Sequence, residues 1–303
     1  MTIAAILALA MLLDAAMGEP RWIWSRLPHP AVLMGRAIDA LERRLNRGRA
    51  RRAKGMAALL LLCLGTWAAA LVITQLGEVA TVITAAILLA QRSLVDHVTA
   101  VATALRQTTE AGRKSVAMIV GRDTIAMEPA DITRAAIESA AENFSDGVIA
   151  PLFWLALGGL PGLAVYKAAN TADSMIGHRT PRFKAFGWAA ARLDDLLNFI
   201  PARLSAALIV LLTQPRPSWE DITREARQHR SPNGGWPEAA LARSIGVALS
   251  GPRAYGGQLQ DYPFVNPDGL RNGGPAQIEA AVRMLWRAWG AVLVCACLVA
   301  LLA

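Results

Sequence analysis

The stretch ESAAENFSDGVIAPLFWLALGGLPGLA, residues 138–164, runs from a cluster of carboxylates into a long apolar segment. Pro129 upstream is well placed to open a helix, and Glu138 and Glu142, four residues apart, would share one face of it. Asp146 extends this row if the helix continues that far, although we expect the glycine that follows to end it. Such a row can be a solvated acidic face with counter-ions. Charges beside a membrane segment are usually functional, so these carboxylates form the first candidate site.

The apolar segment that follows, residues 148–169, is long enough to cross a bilayer. The letters GGLP at 158–161 divide it into two pieces of about ten residues, each too short to cross alone. A re-entrant pair buried in protein is allowed at membrane depth, and it would return the chain to the side from which it came. The sequence therefore predicts a re-entrant pair here, with the next polar stretch in the cytoplasm.

The composition is that of a membrane protein. The chain has 303 residues, of which 54% are hydrophobic and only 18% charged, and its mean hydropathy is +0.35. The net charge of +8 is not accompanied by Lys/Arg clusters interleaved with aromatic residues, nor by a zinc or helix-turn-helix signature. We therefore expect no nucleic-acid partner, and attribute the basic excess to membrane topology and to anionic substrates.

The hydropathy pattern predicts an all-α fold, a polytopic integral membrane helical bundle that forms one domain over residues 1–303. Clear spans are expected at about 3–17, 55–75, 79–95 and 287–303, and doubtful or re-entrant ones at 148–169 and 199–213. Residues 18–54 hold ten Lys and Arg against three acids, so the positive-inside rule places them in the cytoplasm.

Two further segments are expected on the cytoplasmic side. Leu94, Val98, Val101 and Leu105 recur at helical spacing and predict an amphipathic helix. Residues 215–275 are rich in Pro, Gly, Asn and Arg, and predict a loop-rich polar segment around one short helix near residues 238–249.

A second polar cluster is YKAANTADSMIGHR, residues 166–179. Asn170 and Asp173 are three residues apart, and Thr171 and Ser174 lie beside them. Short oxygen ligands of this kind suit Mg²⁺, which proteins hold with one or two carboxylates while phosphates and waters complete the shell. The same residues can simply cap a helix end, and the cluster alone leaves both readings open.

A third cluster is ARLDDLLNFIPARL, residues 191–204. Asp194, Asp195 and Asn198 lie off its apolar stripe, and Arg192 and Arg203 bracket them. Surface salt bridging would explain this cluster alone. Three Asp/Glu/Asn clusters, each beside basic residues and an apolar segment, together resemble a metal and polyphosphate site, and we expect them to meet in one site.

A fourth stretch, HRSPNGGWPEAALARSIGV, begins at His229. Ser231 and Asn233 lie in a Gly-rich turn whose free amides could bind an anion before a helix begins. An ordinary surface turn is the alternative. His229 is expected to be a neighbour of the site rather than its general base.

Several other function classes lack their motifs. No P-loop, G-x-S-x-G, H-E-x-x-H or paired C-x-x-C sequence is present. A membrane prenyl- or phosphatidyl-transferase, the leading alternative, would need a compact D-x-x-x-D or D-x-x-D-G-type repeat. A transporter with broken helices would need inverted repeats, which are not evident.

Five stretches carry a family resemblance in their order and spacing. They are LDAAMGEPRWIWSRLPHPAVLMGRAIDALERRL from Leu13, IESAAENFSDGVIAPLFW from Ile137, YKAANTADSMIGHR from Tyr166, FGWAAARLDDLLNFIPARL from Phe186 and SPNGGWPEAALARSIGVALSGP from Ser231. Together they resemble the CobD/CbiB family of cobalamin biosynthesis, whose members are adenosylcobinamide-phosphate synthases of the bacterial inner membrane. The resemblance covers nearly the whole chain.

The resemblance implies an ATP- and Mg²⁺-dependent ligase. It would join aminopropanol phosphate, or a related amino alcohol, to a propionate carboxylate of the corrinoid adenosylcobyric acid through an acyl phosphate. It further implies an active site that faces the cytoplasm, contact with membrane lipid, and other membrane-linked cobalamin-assembly enzymes as partners.

This chemistry assigns expected roles to the clusters. The carboxylates expected to be catalytic, one of them as general base, are Glu138, Glu142, Asp146 and Asp195. Those expected to hold Mg²⁺ are Glu142, Asp173, Asp194 and Asp195. The residues expected to bind substrate or phosphate are Arg36, Lys167, Asn170, Thr171, Ser174, Arg192, Asn198, Arg203, Ser231 and Asn233.

Overall fold

The computed structural model describes residues 1–255 and 258–303, and most of them are helical. The helices are α1 (Ile3–Met17), α2 (Arg21–Trp24), α3 (Pro30–Leu45), α4 (Arg51–Gln75), α5 (Glu78–Leu88), α6 (Gln91–Gln107), α7 (Thr109–Val116), α8 (Pro129–Phe144), α9 (Ala150–Ile176), α10 (Trp188–Leu197), α11 (Phe199–Leu211), α12 (Trp219–Ala226), α13 (Gly235–Ile245) and α14 (Pro275–Leu302). The described part of the chain also contains four short strands, β1 (Leu249–Ser250), β2 (Arg253–Tyr255), β3 (Gln258–Gln260) and β4 (Phe264–Val265). The helical fold class is confirmed.

Within the described residues, four helical segments are long and apolar enough to cross a membrane. They are Arg51–Gln75, Glu78–Gln107, Pro129–Ile176 and Pro275–Leu302. The apolar helices α1 and α11 are shorter. The expected span at 79–95 lies within the segment Glu78–Gln107, in which α5 ends at Leu88 and α6 begins at Gln91. Re-entrant insertion and the cytoplasmic side stay predictions.

The chain forms two compact units. The first comprises Met1–Ala90, Ala150–Asn198 and Leu293–Ala303, and the second comprises Gln91–Ile149 and Phe199–Val292. In the first unit α4 packs on α9, α3 and α10. Phe186 and Ile38 are buried with Ala58, Ala168 and Ala172 in one core, where the small alanine side chains let the helices approach closely.

A buried ion pair fixes the end of α3 in the first unit. Glu42 accepts hydrogen bonds from Arg182 Nε at 3.0 Å and Nη2 at 2.7 Å, and from Asn46 Nδ2 at 2.7 Å. The Glu42 side chain is 7% exposed, whereas that of Arg182 is 64% exposed. The hydrogen bonds from Arg182 hold the pKa of Glu42 below its ordinary value of 4.5.

Replacing Glu42 with Gln is expected to lower the free energy of unfolding by about 1 kcal/mol at pH 7, because Arg182 is largely solvated. Folding depresses the pKa of Glu42, so its contribution is complete above pH 4.5 and disappears as the pH falls through the lower folded value. Thermal unfolding in detergent should therefore show a difference from wild type that shrinks below pH 4.5. Asp39→Asn, which removes an exposed pair with Arg43, is the control and should unfold like wild type. A Glu42→Gln difference that grows in acid would contradict this account.

The predicted break in the apolar segment lies inside α9. Gly159 has φ 61° and ψ −160°, outside the helical region, and Pro161 follows it. A residue with positive φ is strained unless it is glycine, which explains the glycine here. The break is confirmed in position, and the helix resumes beyond it, to end at Ile176.

The second unit is built around α8, which packs on α6, α7 and α13. Pro129 opens α8 as predicted, and Glu128 N donates to Asp131 Oδ2 at 3.0 Å across the first turn. The expected amphipathic helix is α6, whose Val98, Val101 and Leu105 are buried. Strand β1 pairs antiparallel with β4, and β2 pairs with β3.

Two boundaries in the second unit differ from expectation. Gly147 does not end the helix, because residues Ser145–Ile149 form a π-helical turn that continues α8 into α9. Such turns insert one extra residue and recur at functional sites. The helix expected at 238–249 is α13, which ends at Ile245 against the left-handed Gly246, and α12 precedes it as a second helix.

Candidate active site

The first unit brings the second and third polar clusters together. Asn170 and Asp173 lie on α9, three residues apart, and Asp194 lies on α10, which packs against α9. Asp194 Oδ1 accepts a hydrogen bond from Asn170 Nδ2 at 3.1 Å and from Asn198 Nδ2 at 3.0 Å. We call Asn170, Asp173, Asp194 and Asn198 the α9–α10 cluster. The predicted pairing of these two motifs is thus realised within this unit.

A buried tyrosine orients one member of this cluster. Asn198 is buried, and its Oδ1 accepts a hydrogen bond from Tyr166 Oη at 2.9 Å, so its Nδ2 is directed at Asp194. Trp154 Nε1 donates to the carbonyl of Leu197 at 3.1 Å beside it. Two side chains of α9 therefore hold the end of α10 in register.

The carboxylates of the cluster repel one another. Burial first, and then the charge of Asp173, raise the pKa of Asp194 to about 7. Burial also raises the pKa of Asp195, although Arg192 and Arg179 oppose this. Asp195 is paired with Arg192, whose Nη1 lies 3.3 Å from its Oδ2. The two neighbouring aspartates therefore lie in different environments, Asp194 beside two asparagines and Asp195 beside Arg192.

A glycine makes room for the Asp173 carboxylate. A Cβ atom at Gly177 would lie 1.8 Å from Asp173 Oδ1, so no larger residue fits there without moving the carboxylate. The backbone also forms a hydrogen bond at this point, in which Gly177 N donates to Asp173 O at 2.7 Å. Gly177, the last letter of SMIG in this motif, thus follows the end of α9 and lies against the Asp173 carboxylate.

The α9–α10 cluster suits Mg²⁺ by its donor chemistry. A divalent cation would reverse the repulsion that raises the pKa of Asp194, because it favours the ionised form of both carboxylates. Over residues 1–255 and 258–303, no three His, Cys, Asp or Glu side chains are arranged to hold a metal ion. One or two carboxylates are nevertheless the usual protein share of a Mg²⁺ site, with phosphates and waters supplying the rest.

The other predicted residues of the first unit lie outside the α9–α10 cluster. Thr171 Oγ1 donates to Lys167 O at 2.7 Å and Ser174 Oγ to Asn170 O at 3.0 Å, so both hydroxyls bond to their own helix. Lys167 is half-buried on α9, and Arg36 is exposed on α3. Roles for these residues in binding substrate or phosphate stay predictions.

The second unit holds the first cluster in an unexpected environment. Glu138 is buried on α8, and its carboxylate pairs with Arg122 and with Arg253, whose Nη1 lies 3.1 Å away. Its Oε1 also accepts the amide of Ser250 at 2.7 Å. A carboxylate held by two guanidinium groups and an amide is an anchor, and these contacts favour a positioning role for Glu138 over the predicted catalytic one. We call Arg122, Glu138, Ser250 and Arg253 the arginine cluster.

Glu142, one turn further along α8, faces solvent beside a histidine. A Cβ atom at Gly234 would lie 2.9 Å from His229 Cε1 and 3.5 Å from Glu142 Oε1, which places all three side by side. His229 Nε2 lies 3.5 Å from Oε1 of the buried Glu238. Burial lowers the pKa of His229, and burial together with the charges of Glu138 and Glu142 raises that of Glu238 well above 4.5. Burial therefore favours the neutral form of both groups.

The turn after His229 is closed by its own side chains. The amides of Asn233 and Gly234 donate to Ser231 Oγ, each at 3.2 Å, and the amide of Ser231 donates to His229 Nδ1 at 3.1 Å. The amides of Ser231, Asn233 and Gly234 are therefore not free for an anion, because the hydroxyl and the imidazole already accept them. Arg203 Nη1 reaches Asn233 Oδ1 at 3.3 Å, so these two predicted residues do meet.

Comparison with known proteins decides the family. A protein-family model described as CobD/Cbib protein matches residues 7–285, nearly the whole chain. The chain belongs to the CobD/CbiB family. This confirms the resemblance and supports a role as an enzyme of cobalamin biosynthesis.

Three relatives of this CobD/CbiB chain share the name Cobalamin biosynthesis protein CobD. The protein from Rhizobium meliloti (strain 1021) is 47% identical over 302 residues, which cover 93% of this chain and 92% of the relative. That from a Sinorhizobium species is 46% identical over 306 residues, with 95% of each chain covered. That from Rhodobacter capsulatus is 45% identical over 276 residues, with 88% of each covered. No solved structure matches the chain.

Sequence reasoning missed three charged residues of this CobD/CbiB chain. Arg122 and Arg253 lie in segments without a regular pattern, and they meet Glu138 only through the fold. Glu238 offered a signal, because it stands in the run WPEAALA, whose alanines and leucine are all buried. An acid inside such a run is buried with them. Asp146 is half-buried in the π-helical turn, and its predicted catalytic role stays a prediction.

Proposed function

We propose that the chain is an adenosylcobinamide-phosphate synthase. It would join the amine of (R)-1-amino-2-propanol O-2-phosphate, or a related amino alcohol, to the propionate carboxylate of adenosylcobyric acid at the expense of ATP. The observation that carries this proposal is the family match over residues 7–285, and the relatives' shared place in cobalamin biosynthesis supports it. The helices long enough to cross a membrane support a location in the bacterial inner membrane.

The proposed reaction has two steps. A propionate oxygen of the corrinoid attacks the γ-phosphorus of ATP, the bond to ADP breaks, and an acyl phosphate forms. The amine nitrogen then attacks the acyl carbon, the carbon–oxygen bond to phosphate breaks, and the nitrogen gives up its proton to a base. Each step needs positive charge near phosphate oxygens and a carboxylate able to take a proton.

The α9–α10 cluster supplies the acidic residues for the first step. Asp173 and Asp194 would hold Mg²⁺, which neutralises phosphate oxygens when bound. Lys167 and Arg192, on the same two helices, would bind the phosphate chain. Asn170 and Asn198 keep Asp194 in place, so they act on the reaction through that carboxylate.

Glu142 is the better candidate for the second step. It is exposed on α8, and a base that accepts a proton from a substrate ammonium needs such access, whereas Glu138 is enclosed by two arginines. The neutral His229 beside it adds no competing positive charge. The proposed site faces the cytoplasm, where MgATP is found, and the bound corrinoid lies against apolar segments. The proposed partners are membrane lipid and other membrane-linked assembly enzymes.

The proposal predicts product formation by membranes that contain the chain. Membranes supplied with adenosylcobyric acid, aminopropanol phosphate and MgATP should yield the amide product, detected by mass spectrometry, and aminopropanol or a threonine-derived phosphate offered separately should identify the preferred amine. Omission of ATP, and membranes without the chain, are the controls. The absence of any ATP-dependent amide, together with an absence of corrinoid binding, would refute the proposed function.

A further inference from the structure

A small polar cavity lies in the second unit beside the arginine cluster. Its volume is about 190 Å³, and it is formed by the loop after α7, the start of α8 and the turn between β1 and β2. The residues that line it are Arg122, Asp123, Ala126, Met127, Asp131, Arg134, Ser250, Pro252 and Arg253. Three guanidinium groups thus converge on one enclosed space.

Three arginines and two aspartates line this cavity. The side chains of Arg122, Arg134 and Arg253 are only 11%, 15% and 9% exposed, and the Glu138 carboxylate that pairs with Arg122 and Arg253 is 3% exposed. Asp131, which pairs with Arg134, is 36% exposed. Because two buried guanidinium groups share the Glu138 carboxylate, an additional anion beside them is favoured.

The arginines are held in place before any ligand arrives. Arg253 Nη1 lies 3.1 Å from Glu138 Oε2, and its Nη2 donates to Ser250 Oγ at 2.8 Å. Ser250 has a φ of 61°, a conformation that costs a non-glycine residue energy and persists where the surroundings enforce it. Arg253 Nε is buried and has no hydrogen-bond partner among the residues that the structure describes. Arg134 donates to the carbonyl of Arg271 at 3.2 Å.

We propose that this cavity binds the phosphate group of a small phosphomonoester. Fixed guanidinium groups bind phosphate oxygens through paired, charge-assisted hydrogen bonds. The volume lies below the range of about 300–1,000 Å³ usual for drug-sized ligands, so it suits a phosphate with a few carbon atoms rather than a nucleotide. Asp123 and Asp131 line the same cavity and suit an ammonium group. If the proposed function holds, on which this last step rests, the ligand is the phosphorylated amine.

Direct binding tests the site without the reaction. Isothermal titration of the full chain in detergent with inorganic phosphate, and separately with aminopropanol phosphate, should show binding that Arg134→Gln abolishes. Arg224→Gln, which removes an exposed arginine paired with Asp221 on α12, is the matched control and should bind like wild type. ADP should not displace the phosphate. Displacement by ADP, or equal binding by both variants, would overturn the proposal.

Kinetics then distinguish this site from the proposed function. Arg134→Gln should raise the KM for aminopropanol phosphate by about tenfold or more, as expected for the loss of one charge-assisted hydrogen bond, and leave the KM for free aminopropanol unchanged. Arg134→Lys should recover part of the loss, and the thermal midpoints should show that both variants fold. Amide formation with an unchanged KM in Arg134→Gln would refute the phosphate site alone. Phosphate binding without any amide formation would refute the proposed function and leave the site standing.

Discussion

Replacement of Asp194 by Asn is expected to reduce the rate of ATP-dependent amide formation by about a hundredfold or more. Asn has the same shape and can still meet the amides of Asn170 and Asn198, which bond Asp194 at 3.1 and 3.0 Å, so the α9–α10 cluster keeps its packing. It lacks the negative charge that would hold Mg²⁺ beside Asp173. The rate should be measured with saturating corrinoid and amine while MgCl₂ is varied, and the apparent affinity for Mg²⁺ should fall together with the maximal rate.

Asp195→Asn provides a matched comparison at the next position. Asp195 pairs with Arg192, whose side chain is largely exposed, so its replacement should cost much less than that of Asp194. Circular dichroism and thermal midpoints should show both variants folded. Near-normal rates in both variants would show that neither aspartate binds the metal ion. A larger loss of rate in Asp195→Asn than in Asp194→Asn would assign the metal-binding role predicted for both residues to Asp195 alone.

Replacement of Glu138 by Ala is expected to destabilise the second unit by about 3–5 kcal/mol, because Arg122 and Arg253 would stay buried without their shared carboxylate. The amide of Ser250 would lose its acceptor as well. Thermal unfolding in detergent, and the amount of chain that accumulates in membranes, should both fall sharply.

The control for Glu138 lies one turn along the same helix. Glu142 is exposed, so Glu142→Ala should change stability by no more than about 0.5 kcal/mol while its effect on turnover is scored separately. The double variant Glu138→Gln, Arg253→Gln removes one buried positive charge together with the negative one. It should therefore be more stable than Glu138→Ala. A Glu138→Ala protein as stable as wild type would contradict the anchoring role of Glu138.

Local patterns sufficed for several helices and for one cluster. Apolar runs predicted α1 and the span in α4, Pro129 predicted the start of α8, and the paired glycines predicted the break at Gly159. The meeting of Asn170 with Asp194 followed because both motifs flank one short connection and bond across only 24 residues. Such contacts follow from helical periodicity and from closeness along the chain, and both can be read directly from a sequence.

Long-range contacts were beyond the same reasoning. Glu138 bonds to Ser250 and Arg253, which are 112 and 115 residues away, and nothing in the spacing of ESAAENF indicates guanidinium partners. The π-helical turn at Ser145–Ile149 was also missed, because a glycine after an acid is typical of a helix end. Ser231 shows the same limit over a short range. Its hydroxyl accepts the amides of Asn233 and Gly234, and this contact depends on how the turn folds.

The hydrogen bonds from Tyr166 to Asn198 and from Asn198 to Asp194 link a proposed reactive carboxylate to a ring that is almost completely buried. The direction of that carboxylate is therefore decided in the dry interior, where a phenol has no water to bond instead. A methyl group added or removed around the Tyr166 ring should therefore shift the Asp194 carboxylate. We expect that a substitution beside this ring can lower activity without any loss of fold.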